Sequence, residues 1–138
     1  MNLETEIKFL LEEIEGDFVP PLSSTLDLSE YSKKMHENAT IFSTHDKGKL
    51  VAFMAVYCNF EEKIGYGTML AVAKSHRIYG HGPNLIKTTI DYLKKNSFKM
   101  FKLEVYKTNP RVITLYKRLK FSVVSETENT VVVQLDLF

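Results

Sequence analysis

The feature that most constrains the fold is a strand, a glycine loop and a helix start in direct succession within residues 69–85. The apolar segment Met69–Ala73 predicts a strand, a short basic loop follows, and Pro83 opens an amphipathic helix. Gly80 and Gly82 between them let the backbone approach a ligand without a Cβ in the way. The first amides of a helix lack intrahelical acceptors, and the helix dipole favours negative charge there. This succession therefore predicts an anion site.

Two common glycine fingerprints do not fit this loop. A dinucleotide-binding loop requires a third glycine, where this chain has Leu85. A Walker-type phosphate loop requires Gly-Lys-Ser/Thr, which is missing here. These failures disfavour a nucleotide-binding α/β domain, but they leave open a tight strand-to-helix turn that binds nothing.

A second junction between a strand and a helix lies downstream. A strand ends near Tyr106, Asn109 suits the N-cap position, and Pro110 suits the first helical position. Four residues then share one helical face, namely Val112, Ile113, Tyr116 and Leu119. The chain thus predicts two successive units of strand, loop and helix.

At these two junctions the chain resembles the GCN5-related N-acetyltransferase (GNAT) family. The family's cofactor loop, Arg/Gln-x-x-Gly-x-Gly/Ala, is matched by Arg77, Gly80 and Gly82. The next family segment has a strand, an Asn, and a helix with a Tyr before a Gly-Phe pair. It is matched by Asn109, Tyr116 and Phe121. The resemblance is clear over residues 50–125, and it departs from the family at Lys120, where Gly is usual.

The resemblance implies that acetyl-CoA is bound as the cosubstrate. Its pyrophosphate would lie on the loop and helix start, and its pantetheine arm along the exposed backbone of one strand. That backbone is exposed where the parallel strands 64–73 and 99–106 diverge. The implied cofactor-binding residues are Leu70, Val72, Arg77, Ile78, Tyr79, Gly80, His81, Gly82, Pro83 and Asn109. No spacing of His, Cys, Asp and Glu supports a metal site.

Two side chains are the candidates for catalysis. The resemblance implies that Tyr116 protonates the departing thiolate, since a phenol still holds its proton at neutral pH. A core tyrosine on an amphipathic helix is the alternative. Glu104 interrupts an apolar strand, so we expect it to be partly buried and either to face the cleft or to have a partner. The resemblance implies that it acts as the general base. The alternative is that it only holds a backbone amide or a nearby lysine.

Other routes for proton removal stay open. The family's other common base lies on the preceding strand, but Ile64–Leu70 contains no acidic residue. Glu61 and Glu62 come just before it and fit solvated loop charges. A water relay through Tyr66 or Thr68 would serve, as would an amine that arrives deprotonated.

The order of elements predicts one α/β domain over residues 1–138. It is a GNAT-like layered domain with a central mixed, mostly antiparallel sheet, a splayed parallel strand pair and about four flanking helices. The predicted helices are 3–15, 29–38, 83–95 and 110–119. The predicted strands are 40–45, 50–59, 64–73, 99–106, 121–125 and 130–137.

Composition limits the classes of partner and the cellular location that we expect. A net charge of +1 gives no reason to expect nucleic acid or a membrane as a partner. The single cysteine, Cys58, excludes an internal disulfide. The first residues lack the basic start and apolar core of a signal peptide, so we expect a cytoplasmic protein. The oligomeric state is not fixed, and a homodimer stays open.

We therefore expect an N-acetyltransferase that moves an acetyl group from acetyl-CoA to a primary amine by direct attack. The alternative is a non-catalytic module on the same fold that binds acyl-CoA or a protein. The acceptor is not identified, although the resemblance places it among Asp17–Asn38, the loop 59–64 and the last hairpin. Four acidic residues in these segments favour a cationic amine, namely Asp27, Glu30, Glu61 and Glu62.

Overall fold

The computed structural model describes residues 1–138 and contains four helices and six strands. The helices are α1 (Leu3–Ile14), α2 (Leu28–Asn38), α3 (His81–Lys95) and α4 (Pro110–Arg118). The strands are β1 (Thr40–Asp46), β2 (Lys49–Asn59), β3 (Ile64–Val72), β4 (Met100–Tyr106), β5 (Ser122–Glu126) and β6 (Thr130–Asp136). Short 3-10 helices cover Glu15–Asp17, Leu22–Ser24 and Lys74–Tyr79. None of the helices is both long and apolar enough to cross a membrane.

All six strands form one sheet in the order β1-β2-β3-β4-β6-β5, and only the β3–β4 pair is parallel. The predicted fold class, a mixed and mostly antiparallel sheet flanked by helices, is confirmed. Strand β2 lies inside the sheet, between β1 and β3, and its unbroken apolar run Leu50–Val56 is buried on both faces of the sheet. The β1–β2 hairpin turns at Lys47 and Gly48, which have φ of 52° and 79°.

The sheet separates two apolar cores. On one face, α1 and α2 bury residues such as Ile7, Leu11 and Met35 against β2 and β3. On the other face, α3 and α4 bury Ile86 and Tyr116 together with side chains of β4 and β6. Alternate side chains of β4 therefore point into the α3–α4 core, as Phe101, Leu103 and Val105 do, or to the α1–α2 side of the sheet.

The parallel pair β3–β4 is hydrogen-bonded only over its first half. The register runs from Ile64 opposite Met100 to Gly67 opposite Leu103 and then stops. The β2–β3 register shifts at the same point, which leaves Thr68 as an extra residue in β3. Such a bulge bends a strand. The predicted divergence of these strands toward their C-terminal ends is confirmed, and the bulge at Thr68 accounts for its position.

Two boundaries beside the glycine loop differ from the prediction. The basic segment after β3 is not an open loop but the 3-10 helix Lys74–Tyr79. Helix α3 begins at His81, two residues before Pro83. Proline is tolerated there because the first turn of a helix does not use its N–H groups.

The end of α4 shows how the chain accommodates Lys120 at the position where the family usually has Gly. Lys120 has φ of 78°, the left-handed conformation that glycine adopts at no steric cost. The chain reverses there, and the Phe121 N–H donates to the Tyr116 carbonyl at 3.0 Å. A non-glycine residue in this conformation costs about 1–2 kcal/mol.

Candidate active site

The open edge of β3 begins where β4 departs. The Ala73 N–H donates to the Val51 carbonyl at 2.7 Å, so the backbone of Ala73 faces β2. Alternation along an antiparallel ladder turns the backbone groups of Val72 and Leu70 the other way, toward the gap. These are the two residues predicted to carry the pantetheine arm, and their backbone lies on the edge that β4 leaves unpaired.

The N-terminus of α3 has no side-chain cap. Gly80 precedes the helix with φ of 77°, and the first helical hydrogen bond runs from the Asn84 N–H to the Gly80 carbonyl at 3.1 Å. The N–H groups of His81 and Gly82 therefore have no acceptor within the helix, and Pro83 has no N–H. The pyrophosphate is predicted to bind the backbone amides of Ile78–Pro83. Pro83 has no N–H and cannot be one of these donors.

Gly82 connects this helix start to the open strand edge. A Cβ added at Gly82 would meet only Leu70 Cδ2, at 3.9 Å, so the space beside the helix start is empty of protein atoms. The uncapped end of α3 therefore lies beside the unpaired edge of β3. An elongated ligand with a phosphate at one end can contact both.

The Arg77 side chain of the predicted cofactor loop is engaged within the protein. Arg77 hydrogen-bonds the carboxylate of Asp17, and its Nε donates to the Val72 carbonyl at 3.2 Å. The guanidinium is therefore already occupied. Ile78 and Tyr79 are exposed, at 87% and 62%. Within the predicted loop, the structure thus engages the Arg77 side chain and leaves the backbone N–H groups of His81 and Gly82 without an acceptor.

A cleft of about 340 Å³ lies on the opposite face of the gap. Its polar lining residues are Tyr31, Tyr57, Tyr66, Thr68, Glu104 and Thr130. The remaining lining residues are Leu22, Leu26, Gly67, Met69 and Tyr106. Sequence reasoning singled out Tyr66, Thr68 and Glu104 but missed Tyr31, Tyr57 and Tyr106. Only their position on facing elements distinguishes these three tyrosines from other half-buried aromatic residues.

The loop 59–64, which the resemblance places around the acceptor, does not line this cleft, and its role stays a prediction. The strands β3 and β4 are paired at that end, and the gap opens at the other. Phe60 instead packs edge-on against Phe98, with ring centroids 5.0 Å apart. The N–H groups of Glu61 and Glu62 are bonded to the Asn59 side chain, which leaves both carboxylates in a surface turn.

Glu104 lines the cleft, but the expectation that it is partly buried is wrong, since the residue is exposed. Its Oε2 accepts a hydrogen bond from the Thr130 hydroxyl at 2.6 Å, and it makes no ion pair. The sheet places it on the α1–α2 face because Leu103 and Val105 on either side point into the other core.

Tyr31 holds the bulge where the strands separate. Its hydroxyl lies 3.1 Å from the Thr68 carbonyl oxygen and 2.9 Å from the Thr68 hydroxyl. Burial raises the pKa of Tyr31, and the hydrogen bond with Thr68 opposes that shift in part. Burial also raises the pKa of Tyr57. Both phenols therefore stay neutral at physiological pH.

Tyr116 lies on the other face of the sheet from Glu104. It is 1% exposed, packs edge-on against Phe121 with centroids 5.1 Å apart, and its hydroxyl has no hydrogen-bond partner. Burial raises its pKa well above the ordinary value, so the phenol keeps its proton. An unpartnered buried hydroxyl costs free energy, and a ligand atom that accepted its hydrogen bond would remove that cost.

Asn109 caps α4, as its place before Pro110 predicted. Its side-chain oxygen accepts from the Val112 N–H at 3.4 Å. No observation in the structure ties Asn109 to a cofactor, and that role stays a prediction.

Comparisons with known proteins agree with this geometry. Residues 7–121 match the model of the acetyltransferase (GNAT) family. An uncharacterized N-acetyltransferase of Bacillus subtilis, YobR, is 31% identical over 96 residues, which cover 68% of this chain. The chain spans only 37% of the length of that relative.

Two solved structures share the fold at low sequence identity. The ribosomal-protein-S18-alanine N-acetyltransferase of Escherichia coli is 20% identical, with a TM-score of 0.78 over 99% of this chain and 90% of its own. An aminoglycoside 6'-N-acetyltransferase complexed with coenzyme A is 12% identical, with a TM-score of 0.79 over 99% of this chain and 91% of its own. The family match covers both junctions and most of the sheet, and the chain belongs to the GNAT acetyltransferase family.

Proposed function

We propose that this protein transfers an acetyl group from acetyl-CoA to a primary amine. The observation that carries the proposal is the gap between β3 and β4. One side of the gap offers an open strand edge that leads to an uncapped helix start. The other side offers a cleft with a single carboxylate, Glu104. A thioester placed in the gap would be reached by an amine from the opposite face.

The donor would lie along the first side. The N–H groups of His81 and Gly82 would bind the pyrophosphate, aided by the dipole of α3. Free backbone groups of Leu70 and Val72 would bind the pantetheine amides as a neighbouring strand does. The Val72 carbonyl already accepts from Arg77, so its N–H is the group available there. A structural neighbour solved with coenzyme A supports a ligand of this class.

The chemistry requires three proton transfers and one substitution. Glu104 would take a proton from the bound ammonium, directly or through one water, to give a neutral amine. The amine nitrogen then attacks the thioester carbonyl carbon, the C–N bond forms and the C–S bond breaks. The Tyr116 hydroxyl would protonate the leaving sulfur. The second proton lost by the nitrogen returns through water to Tyr116, which leaves an amide and a free thiol.

The proposal is tested by incubating the protein with acetyl-CoA and a panel of amines. Acetylated acceptor is detected by its mass, and free thiol is measured in parallel, with Cys58 contributing at most one thiol per chain. We expect thiol release that depends on the amine. If acetyl-CoA binds tightly but no amine in the panel is acetylated, the protein is a non-catalytic acyl-CoA-binding module.

A conservative variant tests the base. Glu104→Gln keeps the shape and removes the proton acceptor, so we expect turnover to fall by roughly 10²-fold and its acidic limb to vanish. Coenzyme A affinity should be unchanged. Glu61→Gln, a carboxylate outside the cleft, is the matched control and should behave as wild type. A pH profile identical to wild type in Glu104→Gln would assign proton removal to a water relay or to the solvent.

A further inference from the structure

We propose that the acceptor is a monoamine with an apolar body, held with its one ammonium at Glu104 and its carbon skeleton against the tyrosine-lined wall. This inference rests on the proposed function and names the acceptor class of the same cleft. The proposed function covers amines with one positive charge and amines with several, whereas this inference predicts that only the first kind binds well.

The charge argument begins with the lining. Glu104 is its only charged residue, and its partner is the neutral hydroxyl of Thr130. No lysine or arginine in the structure neutralises it. Lys102, two residues earlier on the same face of β4, is not in the lining and makes no ion pair. The cleft therefore has one uncompensated negative charge, which one ammonium group would balance.

A second ammonium would find no partner inside this cleft. The acidic residues that sequence reasoning placed around it are not in the lining: Asp27 caps α2 by accepting from the Ser29 and Glu30 N–H groups, and Glu30 lies on that helix. A cation enclosed without a counter-charge loses hydration that nothing replaces. The arrangement thus disfavours polycationic acceptors.

The rest of the lining favours a carbon skeleton. Four of the seven tyrosines of the chain line the cleft, and Leu22, Leu26 and Met69 complete the apolar wall. Aromatic faces attract both apolar groups and the carbon atoms beside an ammonium. The tyrosine wall also contributes a direct probe, because the chain contains no tryptophan to mask tyrosine fluorescence.

The test compares hexylamine, hexane-1,6-diamine and 1-hexanol in the presence of coenzyme A. These three compounds share one six-carbon chain and differ in carrying one, two or no ammonium groups. Dissociation constants are measured by tyrosine fluorescence and calorimetry, and kcat/KM by thiol release with acetyl-CoA. We expect hexylamine to bind at least about tenfold more tightly than either of the others. A diamine that binds as tightly as hexylamine, or more tightly, would overturn the inference.

Two variants assign the effect to the cleft. In Glu104→Gln, hexylamine should bind no better than 1-hexanol, whereas Glu61→Gln should keep the full difference. In Leu26→Asn, all three ligands should weaken together while their order is kept. If Glu104→Gln leaves the preference for hexylamine intact, the cation is bound elsewhere and the inference fails.

The outcomes separate this inference from the proposed function. Preferential binding of hexylamine without acetylation of any amine would support the acceptor class and refute the transferase. Acetylation with a preference for the diamine would support the transferase and refute the acceptor class.

Discussion

The two helices that follow the parallel strands begin in opposite ways. Helix α4 satisfies part of its own N-terminus, because Asn109 accepts from the Val112 N–H and Pro110 at the first position has no N–H to satisfy. Helix α3 begins after Gly80 with no side-chain cap, and the space beside Gly82 is open. Both helices follow a parallel strand through a short connection, so the difference lies in the residues at the junction and not in the topology.

The comparison shows which helix start is available to a ligand. The capped N-terminus of α4 has one amide already bonded to Asn109, whereas the uncapped N-terminus of α3 offers two free amides beside an open strand edge. Helix α4 instead brings the unpartnered hydroxyl of Tyr116 into the core next to β4. We expect changes at α3 to affect cofactor affinity and changes at α4 to affect turnover or stability.

The largest expected effect is that of Gly82→Val on coenzyme A affinity. The added side chain would stand where the pyrophosphate must lie and block two charge-assisted hydrogen bonds. These are worth about 3 kcal/mol together, or roughly 10²-fold in the dissociation constant. Because a Cβ at this position meets no protein atom closer than 3.9 Å, the fold should tolerate the change.

Gly16→Val is the matched control, since a Cβ at Gly16 has no neighbour within 4 Å and its φ is ordinary. Calorimetry should show near wild-type affinity for this variant. Equal affinity in Gly82→Val would mean that the anion site is not at the start of α3.

Tyr116→Phe should lower turnover and leave coenzyme A affinity nearly unchanged, whereas Gly82→Val acts on affinity. We expect turnover to fall by roughly 10²-fold, because the hydroxyl acts only on the departing sulfur, while coenzyme A affinity stays within about twofold. Stability should be unchanged or higher, because the variant removes a buried hydroxyl that has no partner in the free protein.

Steady-state kinetics with a good acceptor and a thermal melt make these measurements, with Tyr92→Phe on α3 as the control. Wild-type turnover in Tyr116→Phe would leave Tyr116 as a core residue without a chemical role.

Asn109 tests whether a capping residue also contacts the cofactor. Asn109→Ala should lower the free energy of unfolding by about 1 kcal/mol, as the loss of an N-cap does. Asn109→Asp retains a capping oxygen and should restore stability. It should also weaken coenzyme A binding several-fold if the side chain contacts the anionic ligand, through like-charge repulsion. Denaturant unfolding measures the stability of both variants, and calorimetry measures their affinity for coenzyme A. Unchanged affinity in Asn109→Asp would mean that this residue does not contact the cofactor.

The smallest expected effect is at the other end of α4. Lys120→Gly should raise the free energy of unfolding by about 1 kcal/mol, since glycine adopts the observed φ of 78° without strain. Lys120→Ala keeps the Cβ and should give no such gain. Chemical denaturation measures both. A gain shared by the two variants would point to the lysine charge and not to the backbone.

Much of the fold could be predicted because its signals are local. The hairpin turn at Lys47 and Gly48, the helical spacing on α3 and the cap at Asn109 depend on neighbouring residues only. The two strand-to-helix junctions were also sufficient to indicate the family. The start of α3 was predicted two residues late, because proline is allowed anywhere in the first turn and does not mark a single position.

The candidate site was harder to predict from the sequence. The sequence does not predict the exposure of Glu104. Its place between two apolar residues indicates which face of the strand it lies on, but not which elements cover that face. The cleft tyrosines were missed for a related reason. Tyr31 and Tyr106 come from segments far apart in the chain, and only the packing of α2 over the sheet brings them together.

The sequence by itself determined the glycine loop, the Asn109 cap of α4 and the alternation that places Glu104 on the other face of β4 from Leu103 and Val105. Only the tertiary structure decided where β3 leaves β4, since the Thr68 bulge is defined by the register with β2. It also decided that Arg77 is held by Asp17 and that the cleft beside the strand gap contains a single carboxylate. Local propensities act over a few residues, whereas strand register and the pairing of distant charges depend on which surfaces the folded chain brings into contact.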